Sequence, residues 1–243
     1  CMPARTPFAS GAGAELAQVT LRKIKNSARK KRETRPEKAA RAMALADRLT
    51  ALYGDVACPL THHNTFELLI AVILSAQCTD AAVNKVTPAL FQRYPDPAAL
   101  AAAPLAEIES RIRTLGLFRA KAKSLKRCAA QLARDFSGAV PSAMDELTRL
   151  AGVGRKTANV IRGHAFAIPG IAVDTHCGRL ARRLGLSRQQ NPAKVENDLA
   201  RLLPPMEWTG FSHRLIVHGR RVCSARQPAC GSCALSELCP SKA

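Results

Sequence analysis

Acidic residues are scarce in this sequence: 18 Asp and Glu stand against 37 Lys and Arg, which leaves a formal charge of +19. A surplus of that size attracts polyanions, so the expected partner is nucleic acid or an anionic membrane. Long hydrophobic runs are lacking too. The longest strictly apolar stretch, Leu68 to Leu74, is far shorter than the roughly 20 residues that span a bilayer. No signal-peptide core follows the first residues. Nucleic acid is therefore the expected partner, and no membrane association is expected. Alternation with period two is also missing, which argues against sheet-based folds. With 47% apolar residues in 243, the chain can still bury a sizeable core.

What is present reads as helix. Pro36 suits a first helical position, and Ala39, Ala42, Met43, Leu45, Ala46, Leu49 and Leu52 follow, mostly at three- and four-residue spacing, up to Gly54. Thr65 to Gln77 is apolar almost all round, as a central buried helix should be. Thr79 or Asp80 can cap the next helix, which ends before Tyr94-Pro95. Further helical blocks are expected near 97–103, 104–115, 119–135, 142–150, 155–167, 175–185, 192–203 and 209–222, separated by Gly or Pro. The fold class is all-α. The first 35 residues, Gly-, Ala- and Ser-rich and then basic, read as a flexible tail over 1–35. Such a tail is compatible with a basic arm on phosphates or with an Arg-rich transit peptide.

Leu150-Ala151-Gly152-Val153-Gly154 lies between two helical blocks. Two glycines around one apolar residue permit a tight hairpin, with Val153 plugging the space between the helices. The free N–H groups and the positive dipole end of the second helix then form a phosphate site that does not depend on base sequence. An ordinary helix connection would look the same. Arg155 and Lys156 fall in the first turn of that helix. Lys156 reads either as a solvated, phosphate-contacting lysine or as an amine nucleophile. The helix end, Arg155 and partial burial would each favour the neutral amine that attack requires. Asp174, ahead of Thr175-His176, reads as an N-cap or as a carboxylate facing a cationic transition state.

Four of the nine cysteines, Cys223, Cys230, Cys233 and Cys239, crowd into one short segment. That pattern suggests a metal site rather than a disulfide framework. Zinc in four-cysteine sites favours two short Cys-x2-Cys knuckles, and only one is present. The irregular spacing suits a [4Fe–4S] cluster, whose corners lie well apart. On chemistry alone both remain open.

In this order, the segments 68–77, 150–159 and 173–176 and the cysteine pattern resemble the endonuclease III family of helix–hairpin–helix DNA glycosylases, over residues 37 to 240. The resemblance implies a [4Fe–4S] cluster on the four cysteines and a two-domain fold. A six-helix barrel domain would cover 58–168 and carry the hairpin. A cluster domain would combine 37–57 with 169–243, with the DNA groove between the two. It further implies a base-excision-repair glycosylase with AP lyase activity, acting on double-stranded DNA that holds oxidised pyrimidines or abasic sites. The damaged base is flipped into the cleft, Lys156 attacks C1′, and β-elimination follows through a Schiff base. Asp174 stabilises positive charge on the sugar. Gln77 resembles the residue that fills the vacated gap, and Leu117 the wedge beside the orphan base. Gly152, Val153, Gly154, Arg155 and Arg226 would face DNA.

Two departures stand out. Ala151 replaces the hairpin's usual proline, so a looser turn is expected. Arg226 is the only basic residue between Cys223 and Cys230, so that loop should grip DNA weakly and the tail should compensate. Deleting residues 1–35 should then flatten the slope of log affinity against log salt. The cluster should support folding and DNA binding rather than bond chemistry. Competing readings are an adenine-mismatch or alkyl-purine glycosylase of the same superfamily, or a non-catalytic DNA-binding module with a structural metal. Lys156 points away from the first. A monomer in the bacterial cytoplasm, at the nucleoid, is expected, with organellar targeting by the tail as the alternative.

Overall fold

A computed structural model describes residues 33–242. All but the last three residues of the expected tail 1–35 lie outside the described residues. From Lys38 onward the chain is one compact unit. Its helices are α1 (Arg35–Tyr53), α2 (Thr65–Leu74), α3 (Asp80–Arg93), α4 (Pro97–Ala102), α5 (Leu105–Ile112), α6 (Phe118–Asp135), α7 (Met144–Arg149), α8 (Arg155–Ala165), α9 (Thr175–Arg183), α10 (Pro192–Ala200) and α11 (Pro205–Arg221). Two 3-10 turns follow, Cys230–Ser232 and Ser236–Leu238, and there is no strand among the described residues. No helix among them is long and apolar enough to cross a membrane.

Two apolar clusters organise the unit. The first is centred on α2, whose residues Phe66 to Leu74 are all buried, and it gathers α3 to α8 around that helix. Each Leu or Ile buried there contributes roughly 1.5–3 kcal/mol relative to exposure, which is why α2 carries no polar face. The second cluster joins Ala42, Leu45, Ala46 and Leu49 of α1 to α9, α10 and α11, with Phe211 and Leu215 at its centre.

Local chemistry sets the helix ends. Thr79 caps α3 by accepting from Ala82 N–H at 3.2 Å, and Asn64 caps α2 by accepting from Glu67 N–H at 2.9 Å. Among the expected boundaries that move, two have a visible cause. Helix α2 stops at Leu74 rather than Gln77. The Ser75 hydroxyl turns back to the Val72 carbonyl at 2.8 Å, and a turn closes from Cys78 N–H to the Ser75 carbonyl at 3.1 Å. Helix α11 starts at Pro205 rather than near 209. The proline pair read as a separator is instead a start signal, because Pro205 occupies a first-turn position whose N–H would have no partner in any case.

Candidate active site

The hairpin between α7 and α8 depends on Gly152, whose φ is +82°. A Cβ there would lie 3.1 Å from both Ile73 Cγ2 and Ser124 Cβ, so conformation and space both require glycine. Val153 is buried in the first apolar cluster, and its N–H is bonded to the Leu150 carbonyl at 3.1 Å. Its amide is therefore not free for a phosphate, and the amides left over are those that open α8, where no side chain caps the helix. The turn at Ala151 is not loose. Ala151 N–H donates to Gln131 Oε1 at 2.8 Å, while Gln131 Nε2 donates to the Arg149 carbonyl at 3.1 Å. A proline at 151 could not make the first of these bonds.

Lys156 and Asp174 line one open cavity of about 450 Å³, along with Gln77. Asp174 caps α9, with Oδ1 accepting from Cys177 N–H at 2.8 Å. Both readings of this aspartate are therefore compatible, since Oδ2 has no partner among the described residues. The two side chains bear on one buried sulfur: burial pushes the Cys177 thiol up, Asp174 adds to the shift and Lys156 opposes it. Their spacing is fixed from below by Asn159, which is 2% exposed and donates through Nδ2 to the Ile171 carbonyl at 2.9 Å. The Ser212 hydroxyl accepts from Ala172 N–H at 3.3 Å and ties the same segment to α11.

Two expectations about the lysine need correction. Lys156 is exposed on the cavity rather than partly buried. Arg155 is paired with Glu196 of α10, at 2.7 and 2.9 Å, so its charge is directed at a carboxylate rather than at the lysine.

Gln77 and Leu117 share a conformation that sequence reasoning did not foresee. Both are exposed with left-handed backbones, at φ +56° and +58°. Gln77 lines the cavity; Leu117 does not. Ser137 and Ala167 are also left-handed, but each closes a helix end, where that conformation is common. Leu117 instead precedes α6, and its side chain is 61% exposed. Arg226 is exposed and makes no hydrogen bond among the described residues. The sequence reading also missed His164, His213, Asp80 and Arg220, which line the cavity; Arg220 pairs with Asp80 at 3.0 Å. No local motif marks them, because they meet only when α3, α8 and α11 pack.

All four clustered cysteines are free thiols lining one pocket, with Leu180, Leu184, Val222 and Leu235 as its apolar walls. Burial pushes the Cys233 thiol up against the backbone of Leu235, which lowers it, and the other three thiols add to the rise. Nitrogen atoms of Arg183 and His218 approach the sulfurs. Arg183 Nη1 lies 3.2 Å from Cys223 Sγ and 2.6 Å from the Ser224 carbonyl, and His218 Nε2 lies 3.4 Å from Cys233 Sγ. Among the described residues no three His, Cys, Asp or Glu side chains converge as one metal ion would require. The thiols share a pocket without meeting at a point.

Residues 70–205 match the HhH-GPD superfamily of base excision DNA repair proteins. Endonuclease III of Synechocystis sp. is 52% identical over 194 residues, covering 79% of this chain and 89% of that protein. Endonuclease III of Bacillus subtilis is 46% identical over 194 residues, with 79% and 89% covered. A solved structure of a trapped endonuclease III–DNA covalent intermediate, an estranged-adenine complex, is similar at a TM-score of 0.80 and 46% identity, over 84% of this chain and 96% of that one. The chain belongs to the endonuclease III family.

Proposed function

We propose that Lys156 and Asp174 carry the chemistry of this protein, a DNA glycosylase with AP lyase activity that acts on duplex DNA. The observation that carries the assignment is their placement on one cavity, with Asn159 bracing the segment that leads to Asp174. Lys156 is exposed on the cavity, so its amine is open to the sugar of a docked duplex. The amine attacks C1′ of the damaged nucleotide as the C1′–N bond breaks and the base departs with that electron pair. Ring opening gives a Schiff base on Lys156. Loss of a C2′ proton then expels the 3′ phosphate and nicks the strand. Asp174, with Oδ2 unpartnered, offsets positive charge on the sugar and accepts a proton. The substrates are oxidised pyrimidines and abasic sites.

The glycines of the hairpin and the free amides at the start of α8 hold a phosphate. Gln77 enters the gap left by the flipped nucleotide, Leu117 wedges beside its former partner, and Arg226 meets the backbone. Strained, exposed side chains fit that work, since such strain persists where the surrounding structure enforces it. Cys223, Cys230, Cys233 and Cys239 hold a [4Fe–4S] cluster, a reading supported by the four thiols lining one pocket. When bound, the cluster cross-links the terminal loop and takes no part in bond breaking. The barrel domain 58–168 and the cluster domain 37–57 with 169–243 are supported by the two apolar clusters. The protein works as a monomer in the bacterial cytoplasm.

Borohydride reduction during reaction with an abasic duplex tests the assignment. Wild type is expected to give a covalent protein–DNA adduct, and Lys156→Ala none. A wild-type protein that nicks abasic DNA without forming an adduct would overturn the Schiff-base route.

A further inference from the structure

A buried amine meets a thiol beside the turn that carries Gln77. Lys121 of α6 is 5% exposed, and its Nζ donates to Cys78 Sγ at 2.9 Å, the only hydrogen bond of that amine among the described residues. A lysine is rarely buried unless something pairs with it, and the lesion chemistry above uses neither group. Cys78 is half-buried and lines the open cavity, so a small solute reaches it. The other described thiols outside the cluster pocket are Cys58, Cys128 and Cys177. Burial pushes all three up, which leaves little reactive thiolate on them.

The pair sits between the two exposed left-handed residues. Cys78 follows Gln77 directly, and its N–H closes the turn onto the Ser75 carbonyl at 3.1 Å. Lys121 N–H donates to the Leu117 carbonyl at 3.0 Å, in the first turn of α6. A covalent link between the two side chains would therefore tie the Gln77 turn to the helix that Leu117 opens. Oxidation can supply that link. One hydrogen peroxide converts the Cys78 thiol to a sulfenic acid and leaves a water. A second couples the sulfenic oxygen to Nζ: the N–O bond forms, the sulfenic hydrogen and one amine hydrogen depart, and two waters are released. Sulfur and nitrogen each give up two electrons, which reduce the two peroxides. A direct S–N bond would draw Nζ well inside its present distance, whereas one oxygen between the atoms spans nearly the distance already there.

We propose that Cys78 and Lys121 form an oxidation site, where peroxide creates an S–O–N bridge that ties the Gln77 turn to α6. The bridge holds Gln77 and Leu117 in their placement in the free protein and so slows action on DNA, and a dithiol reverses it by returning thiol and amine. Formation of the bridge is independent of the excision reading. The loss of rate rests on the roles given above to Gln77 and Leu117, and Gln77→Ala in the reduced protein checks the first of these separately.

The test treats the cluster-loaded protein with a few equivalents of hydrogen peroxide, without DNA, and maps its peptides by mass spectrometry. Wild type is expected to give a peptide pair joined through Cys78 and Lys121, heavier by one oxygen and lighter by two hydrogens, that dithiothreitol separates. Cys78→Ala and Lys121→Met should give none. Nicking of an abasic duplex by the bridged protein should fall about tenfold and return with dithiothreitol, while peroxide should leave the rate of Cys78→Ala unchanged. A Cys78 that stops at sulfinic acid with Lys121 unmodified, or that forms a disulfide with Cys58, overturns the proposal. So does an equal loss of nicking in peroxide-treated Cys78→Ala, or full nicking by the bridged protein. Normal nicking by reduced Gln77→Ala instead overturns the role of Gln77, and the bridge is then judged by its mass alone.

Discussion

The side-chain amide of Asn159, three residues after Lys156, donates to the carbonyl of Ile171, three residues before Asp174, across 2.9 Å. This buried bond ties the helix that carries the lysine to the segment that carries the aspartate. Asn159→Ala leaves the Ile171 carbonyl without a partner, at a cost of about 1–3 kcal/mol. Because misplacement of about 1 Å can cost roughly 100-fold in rate, nicking of abasic DNA should fall by one to two orders of magnitude, about 10- to 100-fold. Denaturant titration and steady-state nicking read the two effects. A stable variant with full nicking would remove Asn159 from the account.

Ala151 and Gln131 make a pair that double substitution can isolate. Gln131→Met removes the bond to Ala151 N–H and should cost about 1 kcal/mol. In an Ala151→Pro background that N–H is already gone, so the same change should cost less. Equal losses in both backgrounds, measured by urea unfolding, would show that the bond does not brace the hairpin.

Much of this architecture is legible in the sequence because it depends on local chemistry. Thr79 and Asp174 cap helices through their own side chains, and Gly152 answers a positive φ. The run from Leu68 to Leu74 lacks a polar face because no side of α2 meets water. What was hidden depends on packing between distant segments. Arg155 could not be assigned to Glu196, 41 positions away, from spacing alone. Nor could His164 and His213, on α8 and α11, be seen to share a cavity with Lys156. The exposure of Lys156 was misjudged because a helix pattern fixes the face of a residue but not the depth of the cleft beside it.

Leu117 trades stability for function in this account. With φ at +58° and a side chain 61% exposed, it is strained without burial in the free protein. Leu117→Gly should relieve the backbone and stabilise the fold by up to about 1 kcal/mol, while weakening binding to lesion-bearing duplex. Thermal unfolding and anisotropy titration measure these together. Unchanged DNA affinity would rule out the wedge.

The Arg155–Glu196 pair, at 2.7 Å, restrains a cation beside the phosphate site. Glu196→Gln should release the guanidinium to the DNA backbone and steepen the slope of log affinity against log salt by about one unit. A slope identical to wild type would mean that Arg155 does not reach a phosphate even when free.

The most direct test is to find which residue the sugar is joined to. After borohydride reduction of the reaction with an abasic duplex, protease digestion and mass spectrometry should place the adduct on the peptide that contains Lys156, with the modification on its Nζ. An adduct on another amine, such as Lys121, which is buried with its Nζ 2.9 Å from Cys78 Sγ, would contradict the account.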